Sequence, residues 1–281
     1  MGQLLNSFWR AVAYCLHPRV IALSILPLVI MSVLSLGLGY FFWDNALTMM
    51  RGSLESHEMV NASVRWLEGL GLNSLRLVLA PALLLFLAVP VIVIVSLLFV
   101  AMFMTPAMVA LVAERRFPSL ERKKSGSVVA SLLWSLGSTI LAIFALVISM
   151  PLWLIPPLIL ILPPLIWGWL TYRVFGFDVL ASHASAAERR FVLRNRRWPL
   201  LGMGVVCGYL GAVPSLLWAA SAATLIFAPL LVLVSVWLYT LVFAFASCWF
   251  AHFTLAELQR LRHAEAAAQT AVQPTLTTLP A

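Results

Sequence analysis

Apolar residues in this chain come in long unbroken runs, with polar positions gathered into a few short connections. Four stretches contain no Asp, Glu, Lys or Arg: Val20 to Trp43 (24 residues), Leu77 to Ala113 (37), Ser125 to Tyr172 (48) and Trp198 to Ala256 (59). Each exceeds the roughly 18 apolar residues that mark a membrane span. A backbone N–H or C=O left unpaired in hydrocarbon is too costly to tolerate, so spanning segments are helices or closed barrels. These runs lack the short alternating segments of barrel strands. The pattern predicts an all-α, polytopic integral membrane protein.

The charges between the runs set the topology. From Asp44 to Arg76, Asp44, Glu55, Glu58 and Glu68 outnumber Arg51, Arg65 and Arg76, and no lysine is present. Residues 44–76 therefore read as an extracytoplasmic loop. The stretch Glu114 to Lys124 carries Arg115, Arg116, Arg122, Lys123 and Lys124, and Arg173 to Arg197 carries six arginines. Both read as cytoplasmic, as do both termini, with Arg10 and Arg19 at one and Arg260 and Arg262 at the other. The first two runs then cross once each. The third and fourth begin and end on one side, so each is a two-armed hairpin.

Prolines qualify that picture. Pro151, Pro156, Pro157, Pro163 and Pro164 are expected to shorten or break the second arm of the third run. Pro214 and the small residues 219–223 mark the expected turn of the fourth, leaving arms near Leu200 to Val213 and Leu225 to Phe250. The first of these arms is short for a complete span. The hairpins thus either cross the bilayer or penetrate it part-way, beside two long transmembrane helices. Pro81, Pro90 and Pro106 are candidate bends in the second of those helices.

Before the first run, Leu4, Leu5, Phe8, Val12, Cys15 and Leu16 recur at helical spacing, predicting an interfacial amphipathic helix over residues 1–17. The first run is longer than a signal-peptide core and no small-residue cleavage pattern follows it, so it reads as a retained anchor. Residues 1–263 form a single membrane domain in this reading. The tail, 264–281, has the low complexity of a disordered segment.

Composition narrows the chemistry. With 281 residues, of which 10% are charged, there is no room for a separate soluble catalytic domain beside the membrane segments. A net charge of +8 would point to nucleic acid in a soluble protein. Here the basic residues lie in loops, where they orient the chain, and no nucleic-acid partner is expected. Cys15, Cys207 and Cys248 are too scattered for a disulfide framework or zinc site, and the histidines have no ligand spacing. No charged residue lies deep in a run, and no phosphate loop, HExxH or GxSxG occurs. Neither an enzyme nor a cofactor is expected.

Three constellations stand out. Asp178 can cap a helix over Val179 to Leu193 whose later turns carry arginines, so Arg189, Arg190, Arg194, Arg196 and Arg197 form an anion-collecting or anionic-lipid surface, or serve only orientation. His183 and Glu188 form a polar pair in the same segment. Gly202, Gly204, Gly208 and Gly211 permit close helix packing, or alternatively a half-helix whose free N–H groups face an anion.

The segment FWRAVAYCLHPRVIALSILPLVI, the acidic loop, the long second helix ending near TPAMVALVAER and the stretch PPLIWGWLTYR leading to FD, taken in order over Phe8 to Arg190, resemble the CysZ-type sulfate permeases and the wider etoposide-induced-protein membrane family. The resemblance implies a bacterial inner-membrane permease, oligomeric and associated with sulfate uptake. It places substrate binding ahead of the ILPL segment, at His17, Pro18 and Arg19. Family members carry a glycine and then paired arginines there. In this chain Arg19 stands at the glycine's place, and Ile21 and Ala22 at those of the pair. The expected function is permeation of a small solute such as an inorganic anion, with a non-transporting scaffold or lipid-organising protein of the same fold as the alternative.

Overall fold

A computed structural model describes residues 2–56, 75–123, 128–219 and 228–276, together with the isolated positions 58, 62 and 66. The described residues are organised as helices: α1 (Gly2–Cys15), α2 (Pro18–Ser56), α3 (Leu75–Arg116), α4 (Val128–Ser149), a 3-10 turn (Met150–Leu154), α5 (Pro156–Ala181), α6 (Ala186–Asn195), α7 (Arg197–Ala219) and α8 (Ala228–Leu276). Among the described residues five helices are long and apolar enough to cross a bilayer. The chain is a multi-pass membrane protein.

Each charge-free run becomes the element its length requires. The first lies in α2 and the second in α3. At 39 and 42 residues these are about 58 and 63 Å long, well beyond the hydrocarbon thickness, so they tilt or project from it. Much of the expected loop is helical, because α2 continues to Ser56. The rest of the loop falls almost wholly outside the described residues.

The third run folds as α4, the 3-10 turn and α5. Ile155 at the junction is extended (φ −94°, ψ 108°), as expected of a residue before proline, and Pro156 takes the first helical position, where its missing N–H costs nothing.

Pro163 and Pro164 do not break the second arm, contrary to expectation: α5 is continuous for 26 residues. Pro164 cannot donate to the carbonyl four residues back, and that carbonyl, Leu160 O, instead accepts from the Tyr209 hydroxyl of α7 at 2.8 Å. Between lipid-facing helices such a substitute donor satisfies the freed group where water cannot.

The fourth run gives α7 and α8. Its first arm is 23 residues, longer than expected, because Pro214 lies within α7 instead of at the turn. The expected turn residues 220–223 lie outside the described residues. Asp178 is likewise inside α5 and not at the start of a helix; Ser185 caps α6. Finally, α8 extends through residues 264–276, where composition predicts disorder, in line with the strong helix propensity of its AEAAAQTA stretch. Residues 277–281 lie outside the described residues.

Two compact units result, one of residues 1–24 and 102–281 and the other of residues 25–101. The second holds the greater part of α2 and the first part of α3. In the first, α5 and α7 pack together most extensively. Glycine makes that crossing possible. A Cβ on Gly168 would come within 2.6 Å of the Val205 backbone, one on Gly204 would collide with the Gly168 carbonyl, and one on Gly208 would press on Pro164 O at 3.3 Å. Gly202 and Gly211 face open space. The glycine row thus acts in packing at its two central positions.

α1 packs along α8. Phe8 meets Phe245 and Trp249 edge-on, and the Trp249 indole donates to Ser7 Oγ at 3.2 Å. The amphipathic stripe is divided: Leu4, Phe8, Val12 and Cys15 are half-buried and Leu5 and Leu16 exposed, while the fully buried positions, Ser7 and Ala11, lie beside it. The Trp237 indole of α8 donates to Ser24 Oγ, fastening the start of α2 to the same helix.

Candidate functional site

The elbow between α1 and α2 brings His17, Pro18 and Arg19 to the C-terminal end of α3. The break is set locally. His17 N–H donates to Tyr14 O, closing α1, and Pro18 opens α2 without an N–H to satisfy. The Arg19 N–H donates to His17 Nδ1 at 3.2 Å, and the Val20 and Ile21 N–H groups both donate to His17 O. The first-turn donors of α2 are thus occupied within the chain. The first turn of α2 therefore has no free backbone N–H to offer a ligand.

Charge gathers around the elbow. Partial burial, then the charges of Arg115 and Arg19, hold the His17 pKa below its usual value. An unprotonated Nδ1 is what the Arg19 N–H needs as acceptor, so the cap and the pKa agree. On the other side of the elbow, burial and then the charge of Arg10 lower the pKa of Arg116. Arg19 of α2 and Arg115 of α3 therefore act on His17, while Arg10 of α1 and Arg116 of α3 act on each other. Their acidic neighbour Glu114 is 3.5 Å from Arg122.

Beside Arg19 lies a cavity of about 220 Å³, lined by Arg19 and Leu23 of α2 and by Ala107, Met108, Leu111 and Glu114 of α3. Apart from Arg19 and Glu114, which carry opposite charges, its lining is apolar.

A second polar centre joins α6 to α8. Ser185 and Glu188 form a reciprocal capping box: Glu188 N–H donates to Ser185 Oγ at 3.2 Å, and Ser185 N–H to Glu188 Oε2 at 2.6 Å. Arg262 Nε donates to Glu188 Oε1 at 2.9 Å, and Lys123 lies 3.5 Å from the same oxygen. The Glu188 carboxylate is buried, which on its own would raise its pKa. The bonds from Arg262 and Ser185 overcome that and hold it at about 2. Arg262 also donates to His183 O at 2.6 Å and Glu121 O at 3.0 Å. His183 and Glu188 are thus joined through a third residue. Close by, Arg196 Nε donates to buried Glu257 at 3.0 Å, Arg260 lies 3.5 Å from the same carboxylate, and Arg260 also donates to Gln3.

The arginine set expected to act as one surface is accordingly divided. Arg196 is bonded inward to Glu257, and Arg189 lies over the Phe177 ring at 4.1 Å. Arg190, Arg194 and Arg197 are exposed. The roles of Arg262, Glu257, Arg115 and Arg116 are not legible in the sequence. The Ser185-x-x-Glu188 capping pattern is a signal for the Glu188 centre; its long-range partners leave none.

The family model described as Sulfate transporter CysZ/Etoposide-induced protein 2.4 matches residues 7–221, which include the elbow, the α5–α7 crossing and α6. Neither the curated proteins nor the solved structures gave a match.

Proposed function

The chain belongs to the family of the sulfate transporter CysZ and etoposide-induced protein 2.4, and from that membership we propose that it is a permease for a small inorganic anion, sulfate being the first candidate. The family match over residues 7–221 is the observation that carries this reading. The charges of Arg19 and Arg115, which both act on His17 at the elbow, support an anion as the solute.

By the resemblance, Ile21 and Ala22 stand where related permeases carry paired arginines, yet Arg115 of α3 acts on the same histidine as Arg19 of α2. Guanidinium groups from two helices can then share the oxygens of one tetrahedral anion, each through charge-assisted hydrogen bonds. His17 contributes by holding the first turn of α2 and so the position of Arg19.

In this reading the protein is not an enzyme, uses no cofactor, lies in a bacterial inner membrane as a homo-oligomer, and keeps both termini and the elbow in the cytoplasm, as loop charge requires. Proteoliposomes containing only this protein should take up labelled sulfate faster than protein-free vesicles. Uptake equal to that of empty vesicles would contradict sulfate permeation.

A further inference from the structure

α6 presents two different faces. Inward, Glu188 and Val192 are buried, and the helix is fixed at both ends: by Arg262 and Lys123 on Glu188, and by Glu257 on Arg196, the residue that separates α6 from α7. Outward, Arg190 and Arg194 lie one turn apart on α6 with Phe191 beside Arg190, and Arg197 and Trp198 follow at the start of α7; all five are exposed, Phe191 and Trp198 at 53% and 69%. The two buried carboxylates are committed to Lys123, Arg196, Arg260 and Arg262. Among the described residues no carboxylate pairs with Arg190, Arg194 or Arg197.

Neither water nor hydrocarbon satisfies this face. Water leaves Phe191 and Trp198 hydrated, and lipid tails strand three guanidinium groups. The headgroup layer accepts both, with aromatic rings at the acyl boundary and cations among the phosphates. The position of α6 in the chain agrees, because it connects the apolar arms α5 and α7 directly.

We propose that Arg190, Arg194 and Arg197, flanked by Phe191 and Trp198, form a docking face for the headgroups of anionic phospholipids. The charge complementarity is between three exposed cations on the connection that joins two apolar arms and the negatively charged headgroups of the membrane surface. This proposal does not depend on the transported solute.

The test is native mass spectrometry of the detergent-solubilised full chain, titrated with phosphatidylglycerol or with phosphatidylcholine of identical acyl chains. The wild type should retain phosphatidylglycerol in preference. Each arginine removed should weaken that retention roughly fivefold, and the triple variant Arg190→Gln, Arg194→Gln, Arg197→Gln on the order of a hundredfold. The corresponding triple lysine variant should keep the preference, since a headgroup surface reads charge, while Arg51→Gln, a charge removed from α2, should leave it unaltered. An equal loss in Arg51→Gln would reduce the effect to net charge and overturn the proposal. Competition by inorganic phosphate at constant ionic strength would identify a free-anion site instead and also overturn it. So would an unchanged lipid preference accompanied by lost self-association in the triple glutamine variant, which would assign the face to a second copy of the chain.

Discussion

At Glu188 a single carboxylate gathers donors from three parts of the chain: Ser185 within α6, Lys123 after α3, and Arg262 on α8. Shifting a buried carboxyl from 4.5 to about 2 corresponds to about 3 kcal/mol in favour of the folded form. The sign comes from the lowered pKa. The stabilisation is complete above the carboxyl's ordinary range and is lost as pH falls from 4.5 towards 2. Glu188→Gln should therefore unfold in detergent with about 3 kcal/mol less stability at neutral pH, and its gap to the wild type should close as acid makes the native carboxyl a near-isostere of glutamine. A pH-independent gap would contradict the ionic account. None of this is legible from Glu188 alone, because Arg262 stands 74 residues away in sequence. The capping box is legible in Ser185-x-x-Glu188, but Asp178 suggests too early a helix start because the apolar pattern of α5 runs on without a break through Val179 and Leu180.

The helices themselves are the most legible part. Hydropathy integrates over whole spans, so the four runs map onto α2, α3, the α4–α5 pair and the α7–α8 pair despite errors at individual residues. Pro163 and Pro164 mislead because the group that compensates for them, the Tyr209 hydroxyl, is 49 residues from Leu160. Tyr209→Phe should leave Leu160 O without its donor and cost about 1 to 3 kcal/mol, measured as a lower unfolding midpoint. The glycine row is legible as a packing surface but not in its inequality. Gly204→Ala should force α5 and α7 apart and destabilise the protein by roughly 1 to 3 kcal/mol, as overpacking does, while Gly211→Ala should be tolerated and can gain about 0.5 to 1 kcal/mol from helix propensity. Equal effects at the two positions would contradict the crossing described for α5 and α7.

For the whole molecule, the proposed reading of loop charge puts the termini, elbow and α6 on the cytoplasmic side. A reporter fused after Ala281 should be active in the cytoplasm, and periplasmic activity would reverse the side assigned to every element. What sequence foretells of the elbow is its location, through Arg19 and the ILPL segment. It does not foretell that Arg115 acts on His17 beside Arg19, because that depends on how the end of α3 meets the start of α2. The central claim is that this cationic elbow gathers the permeating anion. It is tested most directly by sulfate uptake into proteoliposomes carrying equal amounts of wild type or the double variant Arg19→Gln, Arg115→Gln. Loss of two charge-assisted contacts should slow uptake at low sulfate by at least about tenfold, and uptake unchanged from the wild type would contradict the account.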